Sequence, residues 1–253
     1  MAPLVDAAKV FYVEGFFLTH GTESVLEVSK KASEASKVNL FLYLYFSDFL
    51  LSPSSQVFVL NLSAPFIPQS FGAQLSSVLF YCDIIIGNET EAEAYATAAG
   101  LKDPKDLVAT ARAIATLPKA NKARRIVIFT HGPKSTILVS SEDPANPKEY
   151  KVTPIPDEQI VDTNGAGDAF AGGFLGAFVA GKTIDECVEV GHKLGAMSVQ
   201  LVRTGIVGMF RGLMARCTGR PSVQAAQGPN PLIMQLLVQY YRRSFDPFPL
   251  LPY

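Results

Sequence analysis

Short apolar runs alternate with longer stretches of helical period along most of this chain, and that alternation predicts the fold before any single residue is singled out. Residues 9–13 read as a strand, and 22–37 as an amphipathic helix whose inner face carries Val25, Leu26, Val28 and Ala32. A second strand is expected over 57–62, a helix over 70–81 and a short all-apolar strand over 83–86. A helix over 89–99 is stopped by Gly100, and another starts from Asp103 as cap with Pro104 in its first turn and runs to 117. The Ile-Val-Ile-Phe core of 125–130 predicts a buried strand, whereas 135–140 and 149–153 read as more exposed strands. Two helices, 165–180 and 183–202, close the series. Near-continuous apolar strands separated by helices predict an α/β fold, a doubly wound, mainly parallel sheet covered on both faces. Sites in such sheets are expected at the carboxyl ends of the strands.

Two segments break the pattern. Residues 39–57 contain the run Leu40-Phe41-Leu42-Tyr43-Leu44-Tyr45-Phe46, too short, with Asp48 close behind, for a membrane span. Either an additional buried or interface strand or a segment foreign to the fold accounts for it. Residues 206–253 are rich in Gly, Arg, Gln and Pro, with one apolar run over 232–241, and poor order is expected over 218–231. The domain expectation is a catalytic domain over 1–205, with 39–57 as an atypical insert, followed by an atypical tail over 206–253.

Composition narrows the function classes. With 253 residues, 48% hydrophobic and 18% charged, the chain can bury a sizeable core. A net charge of −1 gives no electrostatic reason to expect nucleic acid or an anionic membrane as partner. Cys82, Cys187 and Cys217 are widely spaced and odd in number, which suits a reducing compartment and a cytoplasmic location. The first nine residues carry no signal-peptide pattern, and the early strand suggests that sequence is missing upstream.

The stretch Asp162-Thr163-Asn164-Gly165-Ala166-Gly167-Asp168 concentrates the chemistry. A tight glycine turn runs straight into a small, apolar helix, so backbone N–H groups of Asn164, Gly165, Ala166 and Gly167 are candidates for an anion hole at a helix N-terminus. Asp168 points into the same cleft. A carboxylate would repel a bound polyphosphate, so Asp168 is assigned as the base that takes a proton from an attacking hydroxyl. Asn88 and Glu91 stand three apart at a helix start and can share one face. They are either magnesium-binding residues acting through retained water or a capping box, and in this setting the metal reading is preferred. Gly176 to Thr183 satisfies the P-loop pattern G-x-x-x-x-G-K-T, but it ends a helix instead of opening one. Gly181 reads as a helix stop, and Thr183 with Glu186 as the capping box of the next helix.

The heptapeptide resembles the D-T-x-G-A-G-D signature of the ribokinase-like (PfkB) family of sugar and nucleoside kinases. Val10 to Thr19, Leu60 to Ile67 and Asp83 to Ala92 are similar to the adenosine kinase branch, and the resemblance runs in order over 8–205 with one interruption. It implies a ribokinase-like fold without its N-terminal lid, ATP as co-substrate, Mg²⁺ as cofactor, and adenosine as acceptor in purine salvage. It also implies that Thr130 and Gly132, after the Ile-Val-Ile-Phe strand, border the ATP phosphates or ribose; His131 between them is expected to sit in solvent and take no part in the chemistry. His192 either lines the ATP base pocket or is a structural histidine. Two alternatives stay open: an inactive fragment retaining at most nucleotide binding, and a related kinase acting on another sugar or nucleoside.

Overall fold

The computed structural model describes residues 8–35 and 56–201, and from Lys9 onward these lie within one compact unit. The expectations for 206–253 and for most of 39–57 lie outside the described residues, as does Cys217.

Six strands form one sheet in sequence order: β1 (Val10–Glu14), β2 (Val57–Asn61), β3 (Ile84–Asn88), β4 (Ile126–His131), β5 (Ser135–Ser140) and β6 (Asp143–Lys151). β1 to β4 are parallel, and β5 and β6 add antiparallel to β4. The helices are α1 (Thr22–Ala35), α2 (Phe66–Ser70), α3 (Gly72–Leu79), α4 (Glu89–Ala98), α5 (Leu107–Ala115), α6 (Ala166–Val179) and α7 (Ile184–Val199), with single 3₁₀ turns at Gly15–Thr19 and Asp157–Gln159.

The period of two along each strand divides an almost wholly apolar sheet between two cores. Phe58, Leu60, Ile85, Val127 and Phe129 face a layer that includes Val25, Ala32, Leu75, Leu79, Ala92, Ala111 and Ile114 from α1, α3, α4 and α5. Their neighbours Val57, Val59, Ile84, Ile86, Ile126 and Ile128 face Phe170, Phe174 and Phe178 of α6 and Val188 of α7. Both faces are thus covered, as the apolar pattern predicts.

Several local expectations are corrected. The helix expected over 70–81 is two, because the backbone turns at Phe71 (φ −122, ψ 30) and α2 begins earlier, with Pro68 tolerated in a single turn. Asp103 does not cap α5. Asp106 does, accepting from Ala109 N–H at 2.8 Å, while Asp103 accepts from Lys105 N–H in the turn before it. β5 is buried, not exposed, since it lies between β4 and β6 and packs against α5. β6 starts earlier than expected, and its two prolines are accommodated on a strand with no further neighbour among the described residues. Gly181 (φ +77) does stop α6, and Thr183 and Glu186 form the capping box of α7, so the P-loop pattern is a helix end followed by a cap.

Candidate active site

The carboxyl ends of β1 to β4 set the floor of the site. Register pairs Glu14 with Asn61 across β1 and β2, and Asn88 with Thr130 across β3 and β4. The chain leaves each of these strands into a turn or a helix start, so backbone donors and polar side chains gather along one edge of the sheet.

At the end of β3, Asn88 caps α4. Its Oδ1 accepts from Glu91 N–H (2.9 Å) and from Thr90 Oγ1 (2.8 Å). Glu91 in return accepts from Asn88 N–H at 3.0 Å and from Asn88 Nδ2 at 2.9 Å. The capping-box arrangement is therefore formed in full, and Asn88 and Glu91 are held together by it. Glu91 is only 5% exposed. Burial pushes its carboxyl up to about 7 against the pull of the Asn88 N–H, with Glu14, Glu89 and Asp168 adding to the rise. A second hydrogen-bonded group lies beside it at the ends of β1 and β2: Glu14 accepts from the hydroxyls of Tyr12 and Ser63. Glu14 is buried, and that burial pushes its pKa up in spite of those hydrogen bonds, with the Asp168 charge contributing. Sequence reasoning misses Glu14, because its partners Ser63 and Asn61 are remote in the chain; a carboxylate closing an apolar strand is the one available signal.

The glycine turn has the expected form. Gly165 takes the left-handed conformation (φ +79) that lets the chain turn into α6, and Ala169 N–H donates to its carbonyl at 2.9 Å. Asn164 is partly committed elsewhere: its N–H and its Nδ2 both donate to Asp162 Oδ1, at 2.9 and 2.8 Å. Ala166 N–H turns back to Thr163 O at 3.3 Å. Gly165 and Gly167 are exposed, with open space where a side chain would stand. Asp168 is exposed in the first turn of α6, and its charge acts on Tyr12, Glu14 and Glu91.

Thr130 stands at the end of β4, its hydroxyl 3.4 Å from Gly87 O, and Gly132 makes the β4–β5 turn with φ +50. His131 is partly exposed, its Nε2 3.2 Å from Lys134 Nζ. His192 bonds Thr136 of β5 at 2.8 Å and packs on Phe170 of α6, with ring centroids 5.7 Å apart. Burial depresses its basicity, and the ring joins α7 to β5 and α6. The structure thus brings Asn88, Glu91 and Asp168 into one electrostatic cluster with Glu14, and attaches His192 to the second turn of the helix that carries Asp168.

The family model for pfkB family carbohydrate kinases matches residues 1–207, and the chain belongs to that family. It is 49% identical over 203 residues to an adenosine kinase of Schizophyllum commune, an alignment that takes in 80% of this chain and 54% of that protein. An adenosine kinase of Saccharomyces cerevisiae is 40% identical over 200 residues, 79% of this chain and 52% of that protein. Among solved structures, Anopheles gambiae adenosine kinase in complex with P1,P4-di(adenosine-5) tetraphosphate matches with TM-score 0.70 and 37% identity, over 81% of this chain and 54% of that one. Schistosoma mansoni adenosine kinase with 2-fluoroadenosine matches with TM-score 0.69 and 34% identity, over 79% and 53%. The chain therefore spans about half the length of the relatives it matches. Its mixed six-stranded sheet flanked by helices is the ribokinase-like arrangement expected from the sequence.

Proposed function

We propose that this chain carries the phosphotransfer part of an adenosine kinase, an ATP-dependent nucleoside kinase that moves the γ-phosphoryl group of ATP to the 5′-hydroxyl of adenosine in purine salvage. One observation carries the reading: Asp168 stands in the first turn of α6 directly behind the left-handed Gly165, with its charge reaching Glu14 and Glu91 at the strand ends. Asp168 is the base for the acceptor hydroxyl. The N–H groups of Gly165 and Gly167 are the principal anion-hole donors, with Asn164 and Ala166 shaping the turn, and Thr130, Gly132 and His192 bordering the nucleotide.

A hydrated cation fits Glu91 better than Asn88: Asn88 Oδ1 is already taken by Glu91 N–H and Thr90 Oγ1, whereas each oxygen of the buried Glu91 carboxyl accepts one bond from Asn88 and keeps a lone pair. Magnesium bound there would offset charge on the phosphates, with Glu91 holding its retained waters and Asn88 holding Glu91. The free, buried Cys82 and Cys187 support a cytoplasmic setting. The net charge of −1 favours small-molecule partners, ATP and adenosine, over nucleic acid or a membrane surface, and no helix among the described residues is long and apolar enough to cross a membrane.

The test is AMP formation from adenosine and Mg-ATP by the purified chain beside its Asp168→Asn variant. Loss of at least about a hundredfold in the variant is expected. Undiminished turnover would remove Asp168 as base. No turnover in folded protein would favour a fragment limited to nucleotide binding, and preference for another nucleoside or sugar in competition would move the chain to a related kinase.

A further inference from the structure

The strand ends that form the candidate site gather acids and are poor in cations. Glu14 ends β1, Glu89 and Glu91 open α4 behind β3, and Asp162 and Asp168 stand in the glycine turn and the first turn of α6. The connections leaving the carboxyl ends of β1, β2 and β4 are 15–21, 62–65 and 132–134, while β3 runs directly into α4. Together with the glycine turn over 162–168, those connections contain one lysine, Lys134, and no arginine. Lys151, at the end of β6, is the register partner of Ser135 and lies one strand further out.

The backbone fixes Lys134 at this corner. Its N–H donates to His131 O at 3.0 Å, Gly132 takes φ +50, and its carbonyl accepts from Val152 N–H at 3.4 Å, so the β4–β5 turn is short and tied on both sides. Thr130, at the end of β4, pairs in register with Asn88 on one side and Thr136 on the other. Thr136 bonds His192, whose ring packs on Phe170, about one turn into α6 beyond the glycine turn. Lys134 thus stands two residues, about 7 Å of strand, before the point of β5 that His192 links to the helix of Asp168.

The charge of Lys134 has no local counterpart. The side chain is exposed, its ammonium lies 3.2 Å from His131 Nε2, and among the described residues no carboxylate pairs with it. An imidazole lone pair can take a hydrogen bond from an ammonium, but it cancels no charge. A polyphosphate at the mouth of α6 meets acids from β1, α4 and the glycine turn, and helix N–H groups carry only partial charge. Magnesium offsets part of the phosphate charge, and phosphoryl transfer otherwise depends on positive groups fixed at the phosphate oxygens.

We propose that Lys134 binds the terminal phosphates of the nucleotide donor and sets the preference of the site for a triphosphate over a diphosphate. The identity of the ligand rests on the phosphotransfer reading, whereas the choice of residue rests on its placement and its uncancelled charge. A lysine ammonium is a compact point charge, suited to a terminal phosphoryl group that must move during the reaction.

The test is isothermal titration calorimetry of Mg-ATP and Mg-ADP with the whole chain and its Lys134→Met, Lys134→Arg and Lys151→Met variants. Lys134→Met keeps the apolar stem and should weaken Mg-ATP about tenfold and Mg-ADP less, while Lys134→Arg and Lys151→Met stay within about threefold of wild type. Equal affinity of wild type and Lys134→Met for Mg-ATP overturns the inference. An equal loss for both nucleotides, which a distorted turn would produce, overturns it too, as does an equal loss in Lys151→Met, which would mark a diffuse field instead of a contact. Discrimination lost in Lys134→Met in a chain that forms no AMP from adenosine would retire the kinase reading alone. Turnover and Mg-ATP affinity both unchanged in Lys134→Met would retire Lys134 alone, and a wild-type chain that does not bind Mg-ATP would retire both.

Discussion

Arg125 is the clearest case of one side chain organising several elements. It leads into β4 at 1% exposure, and its guanidinium donates to the carbonyls of Leu79 and Leu117 at 2.7 Å, Ile114 and Pro118 at 3.1 Å, and Cys82 at 3.3 Å. Leu79 ends α3 and Ile114 lies in the last turn of α5, each carbonyl also accepting a backbone N–H at 3.2 Å, so the cation adds a second bond there, supplies donors to Cys82, Leu117 and Pro118 just beyond the two helices, and complements both dipoles. Arg125→Met keeps the bulk and strands these acceptors, so a loss of about 3–5 kcal/mol in urea unfolding is expected. A loss under about 1 kcal/mol would mean that water replaces the guanidinium. Its role was not legible in the sequence, and the reason is the same as for Glu14. The partners of Arg125 reach back as far as Leu79, and Glu14 meets Ser63, so neither environment exists until the crossovers have folded. The left-handed turn at Gly165 and the place of Asp168 in the first turn of α6 were legible because turn, helix start and carboxylate fall within consecutive residues.

At the scale of elements, the hairpin of α6 and α7 positions Asp168, and its glycines show two different uses. A Cβ on Gly173 would stand 2.9 Å from Val190 O and 3.1 Å from Gly191 Cα, both backbone, so the helices meet where no rotamer change could make room. Gly176, on the same helix, is exposed, and a Cβ there would find nothing within 4 Å. Gly173→Ala should therefore destabilise by about 1–3 kcal/mol through overpacking, while Gly176→Ala should stabilise by about 0.5–1 kcal/mol through helix propensity. Thermal unfolding of the two variants checks both signs, and equal effects would refute the packing account. Element boundaries were readable where the chemistry is unambiguous, as in the Thr183 and Glu186 capping box, and misread where two residues could serve. Asp103-Pro104 has the pattern of a cap and first turn, yet Asp106, three residues on, takes the cap because α5 starts later.

For the whole molecule, the fold class was legible because the alternation along β2, β3 and β4 supplies two apolar faces, and only layers on both sides can bury them. The burial of β5 was not, since it depends on β6 pairing outside it. Surface charge contributes little to this architecture: the pairs Lys148–Asp185, Lys182–Glu186 and Lys193–Glu189 are exposed, and the net charge is −1. Sodium chloride should accordingly shift the thermal midpoint only slightly. The cleft differs, because Glu14, Glu91 and Asp168 bring like charges together at the strand ends. A ligand that binds only the folded chain at a hundred times its Kd stabilises it by about 2.7 kcal/mol, roughly 5–10 °C in Tm for a domain of this size. Mg-ATP should produce a rise of that order at constant ionic strength, ATP with a chelator should produce less, and the difference between them should shrink in Glu91→Gln, whose amide oxygen can keep the bond from Asn88 N–H but neither the bond from Asn88 Nδ2 nor the charge. A Mg-ATP shift no larger than that of sodium chloride, or one unchanged in Glu91→Gln, would remove Glu91 from the magnesium site and leave it as the capping residue of α4.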